Sequence, residues 1–226
     1  EVMGRHAGWI AAASALASTN ETDPPHIILM PEVPFAKKKF IDKVNQTVAS
    51  EGFCVVVASE GTRYKNGMFL ADSGLKDAFG HKQLGGVAPV LAQMISSIGL
   101  KNHWAVSDYL QRSARHISSK TDLDQAYAVG KKAVEFALGG KNAVMPVIKR
   151  LSDKPYKWKI ESAPLSKVAN VEKTLPKRYI SKDGFGITNK GIDYLKPLIQ
   201  GETSIDYQDG IPIVARLKNN LVRKIT

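Results

Sequence analysis

Cysteine is almost absent from this chain. Its 226 residues contain one, Cys54, so no disulfide framework can form within it, and a reducing compartment is expected. No apolar run approaches the roughly 18 residues of a membrane span and no signal peptide is read in these residues, so the expectation is a cytoplasmic protein that does not contact membrane. The five histidines, His6, His26, His81, His103 and His116, keep no metal-ligand spacing with one another or with Cys54, which argues against a zinc site. Neither the Rossmann fingerprint nor the P-loop occurs. "GFGITNKG" (184–191) is glycine-rich but follows no clear strand, and it reads as a turn. Ser59, in "VASEG", lacks the surroundings of a nucleophile elbow, so no hydrolytic triad can be argued from it. Internal repeats and low-complexity linkers are missing as well.

What is present is ordinary globular composition with an excess of positive charge. Hydrophobic residues make up 43%, enough for a true core, and Lys+Arg 32 against Asp+Glu 21 gives +11. Such a charge suits nucleic acid, an acidic membrane face or small anions such as phosphates. The basic residues are dispersed, the densest run being Lys37-Lys38-Lys39, and no aromatic residues interleave with them. Nucleic acid is therefore not the expected partner, although a basic nucleic-acid binder stays as a rival with a steep salt dependence.

Periodicity supplies an order of elements. The alanine-rich stretch from His6 to Ser18 reads as a helix, "HIILM" (26–30) as a short strand, and 37–50 as a helix stopped by Gly52. "FCVVVAS" (53–59) is continuously apolar and β-branched, the pattern of a strand covered on both faces, with Cys54 as a small buried hydrophobe. A polar, glycine-rich stretch (60–82) reads as a functional loop. Beyond it the chain suggests a helix at 86–98, a strand at 103–107, a helix from 123 capped by Thr121 or Asp122, and a buried strand at 142–148. "YKWKI" (156–160) and "IPIVARL" (211–217) suggest further strands, and 187–199 a helix capped by Thr188. Alternating helices and strands predict an α/β fold with a parallel sheet and helices on both faces, its ligands beyond the carboxyl ends of the strands.

Three groups fall where that rule points. Met3-Gly4-Arg5 stands just before a helix, where the helix dipole and an Arg fork favour an anion; a solvated arginine at a helix entry is the plain alternative. Glu60 follows the strand ending "VVVAS" and could accept bonds from hydroxyls, although a surface glutamate opening a loop is as common. In "SDYLQRSARH", Asp108, Tyr109, Arg112, Arg115 and His116 lie together, and a phenol with a guanidinium three residues on suits a phosphate monoester. A basic helix start with a packed tyrosine is the alternative there.

In this order and at these separations, the Met-Gly-Arg turn, Pro31-Glu32, the strand ending in Glu60 and the Tyr-x-x-Arg of "DYLQR" resemble the phosphofructokinases. "FGHKQLGGVAP", "SDYLQRSARHISSKTD", "KNAVMP" and "DGFGIT" look most like the family's pyrophosphate-dependent bacterial branch. The resemblance implies a three-layer domain, 1–150, that binds the sugar phosphate, and an extension, 151–226, that packs back on a donor-binding domain. It implies phosphoryl transfer from pyrophosphate to the 1-hydroxyl of fructose 6-phosphate with Mg2+, in a homodimer or higher homo-oligomer; no metal ligand is carried onto these residues. Met3, Gly4 and Arg5 would line the fructose 6-phosphate pocket with Arg5 near the phosphoryl in flight, Glu60 would hold sugar hydroxyls, and Tyr109 and Arg112 the 6-phosphate. Glu32 matches a position near the effector site of allosteric ATP-using members, and here it is expected to be structural. Those members also carry an Arg shortly before the tyrosine position, where this chain reads Lys101-Asn102-His103-Trp104. In the family the donor loop and the base precede the Met-Gly-Arg turn. This chain, which opens at "EVMGRHAGW" without an initiator Met, is therefore expected to be the carboxyl-terminal, acceptor half of a longer enzyme and inactive alone. The other implied readings are an ATP-dependent 6-phosphofructokinase and a catalytically silent, sugar-phosphate-sensing subunit.

Overall fold

The computed structural model describes residues 1–20, 22–76 and 82–221. In chain order the elements are α1 (Trp9–Ala13), continued by a 3-10 turn to Ala17, β1 (Ile27–Leu29), α2 (Lys37–Glu51), β2 (Val56–Ala58), β3 (Asp72–Lys76), β4 (Lys82–Leu84) and α3 (Val87–Ser96). They continue with α4 (Leu110–Ser113), α5 (Lys120–Leu138), β5 (Val144–Asp153), β6 (Tyr156–Pro164), α6 (Leu165–Val168), α7 (Asn189–Leu195), and the short pair β7 (Tyr207–Gln208) and β8 (Ile211–Pro212).

The parallel pair β1–β2 is the centre of the molecule. Ile27, Ile28 and Leu29 align with Val56, Val57 and Ala58, and the crossover between them is α2. Successive strand side chains point to opposite faces, and the two hydrophobic clusters divide accordingly. Ile27 and Leu29 join Phe40 and Val44 of α2 and Val87 and Leu91 of α3. Ile28 and Met30 join Ala11 and Ala12 of α1, together with Leu175, Tyr179 and Leu195. Helices thus cover both faces of the parallel strands, and the α/β architecture follows from the alternation within one pentapeptide. Residues 175–195, far along the chain, complete the second core.

The sheet is extended at its edges by single contacts. Val2 bridges Ser59 in parallel, its N–H donating to Ala58 O and its carbonyl accepting from Glu60 N, both at 2.9 Å. Against the other edge, Ile28 N donates to Phe185 O at 2.8 Å. Phe185 lies in the "GFGITNKG" stretch, which makes a turn, as its glycines suggested: Ser181 N bonds Gly186 O, and Ile180 bridges Ile187.

Several local expectations change. Residues 103–107 form no strand: Ser107 N donates to Glu1 O at 3.2 Å and Ala105 O accepts from the Glu1 terminal amine at 2.8 Å, two isolated bonds that build no ladder. β5 is no buried parallel strand; it pairs antiparallel with β6 over Val144–Asp153, and Ile148 keeps 42% of its surface exposed. α5 begins earlier than expected, capped by Ser119, whose Oγ accepts from Asp122 N at 3.1 Å; Thr121 and Asp122 lie inside the first turn. Thr188 caps α7 as expected, accepting from Gly191 N. Only Ile211–Pro212 of "IPIVARL" is strand. Within the loop 60–82 lies most of the antiparallel pair β3–β4; residues 77–81, and with them the start of "FGHKQLGG", lie outside the described residues.

Candidate active site

The carboxyl end of β2 meets the Met3-Gly4-Arg5 turn through backbone geometry that leaves little freedom. Gly4 has φ +135°, a region L side chains rarely adopt, and a Cβ there would lie 2.6 Å from Ala7 O. On the facing segment, a Cβ on Gly61 would come within 1.9 Å of Arg5 O. Two chain segments more than fifty residues apart touch backbone to backbone here, and glycine is the only residue that permits it.

Side chains then tie the turn down. Ser59, fully buried, donates from Oγ to Gly4 O at 2.5 Å. Gly4 N donates to Glu60 Oε1 at 3.1 Å. Thr62, also buried, donates to Ser59 O at 2.7 Å and keeps the strand end curled under the turn. From the opposite side comes α4, which follows Asp108 at φ 41°. Gln111 Oε1 accepts from Met3 N at 3.1 Å, and Arg112 Nε lies 3.4 Å from Met3 Sδ. The Arg112 guanidinium sits over the Tyr109 ring, 5.6 Å from its centroid.

Five of the six predicted site residues therefore join through contacts, Glu60 to Gly4, Gly4 next to Met3, Met3 to Arg112 and Arg112 to Tyr109, and Arg5 joins them through its backbone, which Gly4 precedes and Gly61 faces. Tyr109 is 68% exposed, and Arg112 is exposed as well. The arrangement offers two guanidinium groups, a phenol and a carboxylate around a strained turn, a set able to hold a hydroxylated phosphate monoester. Arg115 leaves the group that "SDYLQRSARH" suggested: its Nη1 donates to Thr203 Oγ1 at 2.8 Å, fastening the chain's later part to the 3-10 turn Arg115–Ile117 that precedes α5. The anion at the head of α1 is also not a free site in the way the dipole argument implied. Glu32 stands there, accepting from Gly8 N through Oε1 at 3.0 Å.

Ser59, Gly61 and Gln111 carry no signature that marks them from sequence. Gln111 lies between the two residues of a Tyr-x-x-Arg pair, and its amide side chain serves the turn, not the ligand face. Only the distance of 108 residues closed by the fold reveals it.

Comparison with known proteins gives one direction. The phosphofructokinase family profile matches residues 1–137. The chain is 60% identical, over its whole length, to a pyrophosphate–fructose 6-phosphate 1-phosphotransferase of Halomonas elongata, of which it covers 54%. Crystal structures of pyrophosphate-dependent phosphofructokinases from Marinobacter aquaeolei and Nitrosospira multiformis, each 53% identical, superpose over the whole chain with TM-scores of 0.85 and 0.86. The chain covers 54% and 53% of them respectively. It thus spans about half the length of the curated relatives it matches.

Proposed function

The chain belongs to the phosphofructokinase family, and from that premise we propose that it supplies the fructose 6-phosphate side of a pyrophosphate-dependent phosphotransferase. The reaction moves a phosphoryl group from pyrophosphate to the sugar 1-hydroxyl, giving fructose 1,6-bisphosphate. The observation that carries the proposal is the convergence of Arg5, Glu60 and Arg112 on one glycine-constrained turn at the carboxyl end of β2.

Each group has a task its chemistry fits. Arg112 receives the 6-phosphate as a bidentate fork, and Tyr109, stacked beneath it, donates one directed hydrogen bond. Glu60 accepts from sugar hydroxyls while its Oε1 holds Gly4 N, so the same carboxylate orients substrate and turn. Met3 and Gly4 form the pocket wall. Arg5 spreads the charge that develops on the phosphoryl in flight, an electrostatic contribution with no covalent intermediate. Mg2+, bound with pyrophosphate, would neutralise charge on the transferring group. Among the described residues no group of three or more His, Cys, Asp or Glu could hold a metal ion, so none is assigned to it here.

The proposal includes a sugar-phosphate domain, 1–150, an extension, 151–226, a cytoplasmic location and a homodimer or higher homo-oligomer. Among the described residues no helix is long and apolar enough to cross a membrane. Pyrophosphate and ATP offered in parallel to the complete enzyme with fructose 6-phosphate and Mg2+ test the reading. Pyrophosphate-dependent formation of fructose 1,6-bisphosphate is expected; turnover with ATP alone would reassign the donor. The isolated chain is expected to bind fructose 6-phosphate saturably without turnover, and no binding would remove the acceptor role.

A further inference from the structure

Glu32 lies three residues past the end of β1 and is half-buried, and its carboxylate lies among backbone amides. Oε1 accepts from Gly8 N at 3.0 Å and from Leu175 N at 2.7 Å, and Oε2 lies 3.2 Å from the same Gly8 N. The first partner begins α1, three residues after Arg5. The second lies 143 residues away in sequence and is itself 2% exposed. One side chain thus fixes the exit of the Met3-Gly4-Arg5 turn to the end of β1 and to the segment 172–175. The same segment holds the residues after the turn twice more: Trp9 Nε1 donates to Lys173 O at 2.7 Å, and His6 Nδ1 pairs with Glu172.

The entrance of the turn is fixed by different residues. Ser59 and Glu60 hold Gly4, and Gly61 presses against Arg5 O. Arg5 lies between these two anchor points, and no other described side chain accepts from the Gly8 amide. If the exit anchor is lost, Gly8 N–H is left to be satisfied by water and the backbone between Gly4 and Gly8 regains conformations that its tether excludes.

We infer that Glu32 is a positioning residue for the sugar-phosphate site, acting through Gly8 on Arg5 and linking residues 172–175 to that site. The inference rests on the acceptor role proposed above. It specifies reach over charge: Oε1 makes the shorter bond to each amide and Oε2 only a second, longer one to Gly8 N, so a carboxamide oxygen in the Oε1 position keeps both shorter bonds, whereas the shorter aspartate, with its charge intact, falls short by one methylene.

The test uses Glu32→Gln, Glu32→Asp and Glu32→Ala in the complete enzyme, with KM for fructose 6-phosphate, KM for pyrophosphate and kcat measured separately. Expected are a five- to tenfold rise in KM for fructose 6-phosphate in the aspartate and alanine variants, an unchanged KM for pyrophosphate, and glutamine within twofold of wild type. An unchanged fructose 6-phosphate KM in the aspartate variant, or a glutamine variant as impaired as aspartate, overturns the inference. Should the alanine variant not fold, the glutamine–aspartate pair decides. Amide hydrogen exchange over residues 3–8 reads the same tether without catalysis: about tenfold faster exchange is expected in Glu32→Asp than in Glu32→Gln. If wild type shows no turnover, the proposed function fails while exchange still decides the role of Glu32; equal protection in both variants would overturn it.

Discussion

The parallel pair β1–β2 and the hairpin β5–β6 are written in similarly apolar language, "HIILM" and "FCVVVAS" in the first and "NAVMPVI" in the second, yet only β1 is buried throughout; β2, shorter than expected at Val56–Ala58, is partly buried, with Phe53 and Val55 exposed before it. Their connections account for the difference. β1 and β2 are joined by the 15-residue helix α2, long enough for a crossover that covers one face, and α1 with residues 175–195 covers the other. β5 and β6 are joined by Lys154 and Pro155 alone, which permits only an antiparallel return. The hairpin is then stitched from its surface. Glu161 receives Lys159 Nζ at 2.6 Å and Lys149 Nζ at 3.2 Å, while Arg150 lies between the Tyr156 and Tyr194 rings and donates to Tyr194 O. The parallel pair holds by burial and the hairpin by its rim, and the site stands on the former.

The sharpest test of that contrast substitutes the same residue in both. Ile28→Ala, at 2% exposure against α1 and residues 175–195, should cost about 2–5 kcal/mol in chemical denaturation. Ile148→Ala, 42% exposed, should cost under about 1 kcal/mol, since little of its side chain leaves water. Equal losses would erase the distinction.

A second pair compares glycines. Gly61→Ala must push Arg5 O away, so saturation with fructose 6-phosphate should be lost or its KM raised well beyond tenfold in the complete enzyme. At Gly130 in α5 an added Cβ meets nothing within 4 Å, and Gly130→Ala should leave KM unchanged while stabilising the helix by up to about 1 kcal/mol. A harmless Gly61→Ala would mean that the turn need not be held so closely.

Next in size is Arg112→Ala, expected to raise the KM for fructose 6-phosphate at least tenfold, about 1.4 kcal/mol. Steady-state kinetics in the complete enzyme would take Arg112 out of the site if KM stayed constant.

The smallest effect belongs to the hairpin rim. The hydrogen bond from Lys159, with that from Lys149 next, holds the Glu161 carboxyl below its ordinary value. A carboxyl depressed by folding contributes stability above its unfolded pKa, about 4.3, and loses it as pH falls through the lower folded value. The difference in melting temperature between wild type and Glu161→Gln should therefore be small at pH 7 and vanish in acid. A difference that persists in acid would assign it to packing instead of charge.

Much of this was legible without coordinates because it is local. The helices at 37–50 and 86–98 and the cap at Thr188 follow from side-chain periodicity and one hydroxyl each, and the structure places them at Lys37–Glu51, Val87–Ser96 and Thr188. The strand at 142–148 was legible as a strand, but its direction was not, although the two-residue turn at Lys154-Pro155 carried the information. The expected strand at 103–107 failed for a complementary reason: its apolar side chains stay exposed, Trp104 at 57%, and isolated bonds to Glu1 give no continuous ladder to define a strand.

The sequence alone determined the α/β alternation, the basic charge and the residue types suited to a sugar phosphate, since these depend on neighbours within one or two helical turns. Tertiary structure alone decided that Glu60, Gln111 and Arg112 meet one turn, that Gly61 leaves room for Arg5, and that Glu32 takes the amide of Gly8. Those contacts span separations of 24 to 109 residues, and contacts at such range exist only when a packed core fixes both ends of the chain between them.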